Sequence, residues 1–267
     1  MKYNFNKKTK LACILLIMLL FGGLITLVGK KQEENYSNVD IQNDINITTI
    51  IETSSKIEED LDKYQDETYE KIAYITIDDG PSKFTSQILD ILDKHEVKAT
   101  FFMINRNMKN YKDIVMRISE EGHGAGFHSV THDVKELYKT PESALNEFYI
   151  CRNTYKEITG KTSNLVRLPY GSKPHTPEAS YNKLVENNLS VWDWNLDTED
   201  WKCTTDNILS NILLYGRHKQ DLVILIHEKE QTVEALDGII TVLKARGYKI
   251  LPITEDKEAM NFWKKNL

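Results

Sequence analysis

What this 267-residue chain lacks narrows the field first. It has only three cysteines, and none forms a C-x-x-C pair. No G-x-G-x-x-G follows the first strand-like run, which disfavours dinucleotide binding. No basic domain or stripe exists to displace phosphate counterions, so a nucleic-acid partner is disfavoured too. No internal repeat or low-complexity tract is present. The net charge of −6 is small, and 40% of residues are hydrophobic. Those residues become periodic after residue 71, which excludes a wholly disordered chain.

The charge is unevenly spread. Residues 1–31 hold Lys2, Lys7, Lys8, Lys10, Lys30 and Lys31 and no acid. Residues 32–70 hold 12 acids and two lysines. Residues 71–267 are near neutral. Within the first segment, residues 11–29 (LACILLIMLLFGGLITLVG) carry no charge. As a helix that run spans about 28 Å, close to the hydrocarbon thickness of a bilayer. Lysines on the N-terminal side favour an inside N-terminus, with the bulk of the chain outside the cytoplasm. The reading taken is a retained single-pass membrane anchor. The run is long for a signal-peptide core, and no Ala-x-Ala precedes Lys30. A cleaved signal peptide, giving a secreted domain, is the alternative. A lipoprotein site at Leu11-Ala12-Cys13 fits poorly, because Cys13 comes before the apolar run and not after it. All three readings export the domain.

Residues 32–70 read as an acidic, solvated linker. Its 39 residues reach about 34 Å as a flexible coil and about 130 Å fully stretched. Ser55-Lys56-Ile57-Glu58 has the form of a capping box, so a short helix is expected around 56–66.

From residue 71, apolar or β-branched runs at 71–77, 98–103, 123–128, 165–168, 190–195, 222–227 and 248–252 predict strands. Helical periodicity predicts helices over 84–95, 109–121, 141–159, 177–187, 205–216 and 232–246. Alternation of this kind implies an α/β fold with a parallel sheet, here a distorted (β/α) barrel of about seven strands. Function in such barrels sits at the C-terminal ends of the strands. Asp78-Asp79-Gly80-Pro81, His128, Arg167, Asp197, Asp200 and His227 all fall there.

Asp79 with His128 and His132 makes a carboxylate and two imidazoles, a set suited to zinc or a similar divalent ion. The four-residue spacing of the histidines would bring their rings together across one helical turn. Histidine pairs at that spacing also occur on plain helix surfaces. Asp78 need not bind metal and can act as general base, oriented by the charge of Arg167. An ordinary tight turn explains Asp-Asp-Gly-Pro equally well. His227 ends an apolar run. It is either a satisfied core histidine or a general acid held by a carboxylate such as Asp200. His95, His175 and His218 show no partner pattern, and His123 reads as structural. Cys151 and Cys203 read as unpaired thiols, with a disulfide between them as the alternative.

Five segments together resemble one family. Thr76-Ile77-Asp78-Asp79-Gly80-Pro81-Ser82 is similar to T-F-D-D-G-P-S, and His128-Ser129-Val130-Thr131-His132 to H-[ST]-x-x-H. Arg167-Leu168-Pro169-Tyr170-Gly171 fits R-x-P-Y-G. Asp197-Thr198-Glu199-Asp200-Trp201 fits D-x-x-D-W, and Leu225-Ile226-His227-Glu228 fits L-x-H-[DE]. In this order they resemble the polysaccharide deacetylases of the NodB-homology type, carbohydrate esterase family 4, over nearly all of 71–257. The resemblance implies hydrolysis of the acetamide of N-acetylated sugars by metal-activated water. It implies Asp78 as base, Arg167 as its tether, and His227 as acid paired with Asp200. Asp79, His128 and His132 would hold one divalent ion, expected to be zinc, with cobalt or manganese also fitting. The Tyr170 backbone N–H, in the Pro169–Tyr170 turn, would face the oxyanion. Leu225 and Trp194 would wall the acetyl pocket, and Asp197 would support its loop. The Asp-Asp-Gly-Pro start resembles members that act on N-acetylglucosamine of peptidoglycan. The expected partners are a cell-wall glycan and the membrane, and no protein partner is expected. Alternatives are N-acetylmuramic acid, a capsular or biofilm polysaccharide, a chitooligosaccharide, an O-acetyl ester, or a glycan-binding pseudoenzyme.

Overall fold

The computed structural model describes residues 70–216 and 221–267. The apolar run 11–29, almost all of the acidic linker and the short helix expected at 56–66 lie outside the described residues. Among the described residues, no helix is long and apolar enough to cross a membrane.

The sheet is organised by the period-two alternation of its first strand. In β1 (Ile72–Asp78), Ala73, Ile75 and Ile77 face one core, while Tyr74 faces another. Thr76 and Asp78 share the face of Tyr74, because successive strand residues point to opposite sides. β2 (Thr100–Met103) and β7 (Asp221–His227) flank β1, both parallel to it. Phe102 and Val223 stand beside Tyr74 in the inner core. In register, Thr76 faces Leu225 and Asp78 faces His227. Alternation along two neighbouring strands therefore brings a carboxylate and an imidazole to the same end of the same face.

The sheet continues through β3 (Gly124–Phe127), β4 (Leu165–Val166) and β5 (Ser190–Val191) on one side and β6 (Leu196–Asp197) on the other. The order is β5-β4-β3-β2-β1-β7-β6, and every pairing is parallel. β8 (Lys249–Ile250) pairs off this path with β1. Among the described residues, no ladder joins β5 to β6. The α/β class and the parallel sheet match expectation, but β6 is not among the expected strands, the strand expected at 248–252 is the off-path β8, and the result is a half-barrel open at one seam.

The seam has a cause in tertiary contacts, and it corrects the single strand expected at 190–195. After Trp192, the Asp193 N–H donates to the Met260 carbonyl (2.9 Å), and the Asp193 carboxylate accepts from Phe262 N (2.8 Å) and Ser172 N (2.7 Å). Asn195 pairs its side chain with Val223 N and the Asp221 carbonyl. The segment is thus pulled out of the ladder by side chains and by the C-terminal segment.

Helices cover the outer core. They are α1 (Thr85–Lys94), α2 (Asn105–Asn110), α3 (Lys112–Glu120), α4 (Val134–Leu137), α5 (Pro141–Thr159), α6 (Glu178–Glu186), α7 (Thr205–Tyr215) and α8 (Glu230–Ala245). α5 has the bounds its sequence predicts. A Thr140–Ser143 capping box and Pro141 open it, and Gly160 at φ 74° closes it. The single helix expected at 109–121 is two, because Tyr111 leaves helical geometry (φ −125°, ψ 50°). His95 also differs from expectation: its Nε2 lies 3.0 Å from Asp237 Oδ1. Cys151 and Cys203 are both free thiols.

Gly126 in β3 admits the ring of Phe102. A Cβ there would lie 2.4 Å from that ring. On the outer side, His123 precedes β3 and is buried. Its Nδ1 accepts the Ala99 N–H at 3.1 Å, and its ring meets Phe101 edge-on. Burial, aided by the charge of Lys98, lowers its pKa from 6.5 to about 4. A depressed histidine pKa means that the folded state prefers the neutral ring. Its stabilisation is therefore complete above pH 6.5 and is lost as pH falls toward 4. Between pH 7.5 and 5 this residue is expected to cost the fold on the order of 2 kcal/mol. His123→Asn keeps an acceptor for Ala99 but cannot titrate. Urea midpoints at the two pH values should differ less in that variant than in the wild type. Equal differences would show that His123 does not carry the acid sensitivity.

Candidate active site

Arg167 follows β4 on the inner face and is fully buried. A buried guanidinium is tolerated only when its donors are satisfied. Here Nε donates to the Trp192 carbonyl (3.1 Å), and one terminal nitrogen donates to the Asp193 carbonyl (2.9 Å). The other donates to Thr76 Oγ1 (2.6 Å) and to Asp78 Oδ1 (3.0 Å). The cation sits 4.2 Å from the centre of the Phe102 ring, the ring that Gly126 admits. Asp78 is itself 2% exposed. Its carboxylate is thus held dry and oriented from one side.

The same arginine fixes a histidine through its backbone. His128 Nδ1 lies 2.8 Å from the Arg167 carbonyl. A carbonyl only accepts, so Nδ1 carries the proton and Nε2 presents a lone pair. That Nε2 is 3.6 Å from Asp79 Oδ1 and 3.7 Å from Asp78 Oδ2. His132 Nε2 is 3.4 Å from Asp79 Oδ1. Burial and the neighbouring His128 lower the His132 pKa, which favours its neutral form.

Asp79, His128 and His132 form a group whose ligand atoms all lie within 4.8 Å of one another. Asp79 Oδ1 is buried and has no hydrogen-bond partner among the described residues. At separations of 3.4 and 3.6 Å, neither contact is a hydrogen bond. These separations suit two ligands each about 2.1 Å from a shared ion in tetrahedral geometry. The donor set therefore fits a divalent metal.

The histidines do not meet across a helical turn, as their spacing suggested. Residues 128–133 are a loop, with Ser129 at φ 71° and His132 at φ 52°. The Ser129 hydroxyl accepts the His132 N–H (2.9 Å) and closes the loop. Asp79 (φ 72°) and Tyr170 (φ 64°) share this left-handed geometry. Such backbone clusters at functional sites because surrounding contacts must enforce it. Gly80 is crowded for a different reason. The buried carboxylate of Glu228 lies against it, 1.9 Å from where a Cβ would be. Thr85 Oγ1 donates to that carboxylate at 2.6 Å.

His227, across the strand from Asp78, is held by Asp200. Its Nδ1 donates to Asp200 Oδ1 (2.7 Å), and its backbone N–H donates to Oδ2 (2.6 Å). Thr232 and Gln231 complete the grip on Asp200. Burial on its own would lower the His227 pKa. The Asp200 hydrogen bond and the charges of Asp78, Asp200 and Asp79 outweigh it, and the pKa is raised above 6.5. Asp200 comes from the loop after β6.

Pro169 and Tyr170 form the turn after Arg167, with Pro169 buried and Tyr170 60% exposed. The Tyr170 ring packs 5.1 Å from His132. Trp194 stands 5.7 Å from the Arg167 cation, and Leu225 lies on β7 opposite Thr76. Asp197 accepts the Glu199 N–H (2.8 Å), holding its own loop. The structure thus brings Asp78, Asp79, His128, His132, Arg167, Asp200 and His227 together at one end of the sheet. The sequence reading missed Asp193, which ties the seam, and Glu147, whose carboxylate bonds the histidine loop. Both read as ordinary acids in a strand end and on a helix surface.

A parallel α/β half-barrel with these groups at the C-terminal rim of its strands defines a barrel-type hydrolase. The family model described as "Polysaccharide deacetylase" matches residues 65–187. The chain is 38% identical over 204 residues to a Bacillus cereus "Peptidoglycan-N-acetylglucosamine deacetylase", covering 73% of this chain and 74% of that protein. It is 40% identical over 185 residues to "Putative polysaccharide deacetylase YheN" of Bacillus subtilis, covering 67% and 66%. The crystal structure of the polysaccharide deacetylase Bc1974 from Bacillus cereus superposes with a TM-score of 0.70 at 39% identity. It covers 74% of this chain and 99% of that one. The chain belongs to the polysaccharide deacetylase family.

Removing one partner of the Arg167–Asp78 pair strands a buried charge. Arg167→Met is expected to destabilise the fold by about 3–5 kcal/mol. Adding Asp78→Leu should recover part of that loss, since no charge is then left unpaired. Urea denaturation of the single and double variants checks this, and a double variant no more stable than the single one would refute the ion-pair account.

Proposed function

We propose that this chain removes N-acetyl groups from N-acetylglucosamine of peptidoglycan, outside the membrane and with a divalent ion, zinc by preference. The observation that carries the reading is the pairing of Asp78 with His227. A carboxylate and an imidazole are cross-strand neighbours on one face, beside a ligand triad with an unpartnered buried oxygen. A base and an acid flanking one point suit the hydrolysis of an amide.

When bound by Asp79, His128 and His132, the ion supplies Lewis acidity to the acetamide carbonyl and lowers the pKa of a neighbouring water. Asp78, oriented by Arg167, takes the proton as water adds to the carbonyl carbon. The Tyr170 N–H donates to the oxyanion that develops. His227 then gives the proton on Nε2 to the departing nitrogen. The C–N bond breaks, leaving acetate and a free sugar amine. Asp200 keeps His227 in the tautomer and orientation that this transfer needs. Trp194 and Leu225 bound the acetyl pocket. The exposed rings of Tyr170 (60%) and Trp201 (57%) offer faces for sugar rings. The substrate choice leans on the Bacillus cereus relative, named for peptidoglycan N-acetylglucosamine. The anchor and linker readings of residues 1–31 and 32–70 support placement of the domain in the wall.

The full chain in detergent should release acetate from peptidoglycan and from N-acetylglucosamine oligomers, and a chelator should stop it. Acetate from none of the N-acetylated glycans would sink the proposal. Asp78→Asn should lower turnover by roughly 10²–10⁴-fold with metal retained. Loss of metal together with activity would argue against its role as base.

His227 must be protonated to act. Activity is therefore expected to persist above pH 6.5 and to fall as pH rises through its raised pKa. Asp200→Asn should move this alkaline limb to lower pH. A pH–rate profile unchanged by that substitution would remove His227 from the role.

A further inference from the structure

The loop from His128 to His132 has no regular hydrogen-bonding of its own, yet both of its ends carry imidazoles of the triad. The His128 N–H donates to the Met103 carbonyl (2.8 Å), and the amides from Val130 to Asp133 are taken up by side chains. Ser129 Oγ accepts from His132 N (2.9 Å) and Thr131 Oγ1 from Asp133 N (3.3 Å). The two amides at the centre of the loop go elsewhere. Glu147 Oε2 accepts from Val130 N at 2.9 Å and from Thr131 N at 3.0 Å, and Oε1 accepts from the Thr131 hydroxyl at 2.8 Å. Glu147 lies in the second turn of α5, a helix fixed by its capping box and packed into the outer core through Ala144, Leu145 and Phe148. One carboxylate on a rigid element thus takes three donors from a loop whose backbone is left-handed at Ser129 and His132.

We propose that Glu147 is the positioning residue of the metal centre: it holds the histidine loop in the shape that lets His132 converge with Asp79 and His128. The two histidines are secured differently. His128 is oriented through the Arg167 carbonyl and needs no help from the loop. Among the described residues, no hydrogen bond anchors the ring of His132, so its place depends on the loop backbone, and hence on Glu147. The inference rests on the reading that the triad binds a divalent ion. It adds a residue outside the five sequence motifs, acting through backbone amides and touching neither substrate nor ion.

The test is metal affinity, measured on the full chain by competing Zn²⁺ against a chromophoric chelator, together with melting curves with and without Zn²⁺. Glu147→Ala is expected to weaken Zn²⁺ binding by roughly 10–100-fold and to shrink the Zn²⁺-induced rise in melting temperature. Glu147→Gln keeps the reach and an acceptor oxygen and should stay close to wild type. Glu147→Asp keeps the charge but is one methylene short and should behave like Glu147→Ala. This order marks a role in reach and hydrogen bonding. The reverse order, with Asp tolerated and Gln not, would mark a role of charge and overturn the proposal. Variants that melt earlier without Zn²⁺ but bind it as wild type does would also overturn it, reducing Glu147 to a structural residue. A wild-type chain that binds no Zn²⁺, Co²⁺ or Mn²⁺ would overturn the metal reading itself and this inference with it.

Discussion

The buried guanidinium of Arg167 is the constraint on which the rest of the rim depends. An arginine cation removed from water is costly unless each donor finds an acceptor. Here the acceptors come from two different strand ends. Thr76 and Asp78 belong to β1, while Trp192 and Asp193 follow β5. The arginine's own carbonyl then orients His128. Satisfying one cation therefore fixes the relative positions of β1, β3, β4 and the seam after β5. It also explains two features that look unrelated. Gly126 leaves room for Phe102, and Phe102 provides the aromatic face under the cation.

This arrangement gives two adjacent carboxylates different characters. Asp78 ends a strand, points inward and is tied to Arg167 in a dry setting. Asp79 takes a left-handed backbone and turns away, and among the described residues its Oδ1 has no hydrogen-bond partner. The division matches the roles proposed for the two acids: one to take a proton and one to hold an ion. The turn that separates them is braced from below by Glu228, whose carboxylate fills the space a side chain at residue 80 would need. Burial raises the pKa of Glu228, so the brace sits in a region where charge is already disfavoured.

Much of this was readable in advance where the signal is local. The helix of residues 141–159 is written in Thr140, Pro141, Ser143 and Gly160, each of which acts through its own backbone neighbourhood. The inward alternation of Thr76 and Asp78 follows from period two. Motif order placed Asp78, Asp79, His128, His132, Arg167, Asp200 and His227 at the rim. Other features were not readable. The helix break at Tyr111 carries no recognisable breaker residue, and the early end of the strand expected at 190–195 comes from partners far along the chain. Asp193 bonds to residues 260–262, about 70 positions away. Glu147 shows nothing on its helix to distinguish it from a solvated acid. The histidine spacing even pointed to the wrong local geometry. A four-residue interval suits a helical turn, whereas a loop held by Ser129 and Glu147 brings the rings together instead.

The sequence by itself determined the alternation of strands and helices, the face on which each strand residue lies, and the kinds of chemical group that reach the rim. These follow from side-chain period and residue chemistry, which act over a few positions. Tertiary structure alone decided that the barrel stays open, which nitrogen of His128 is free, and which acid supports the loop of His132. Those outcomes depend on which donors and acceptors are left over once strands from distant parts of the chain have packed. A buried polar group must take whatever partner the fold brings within reach.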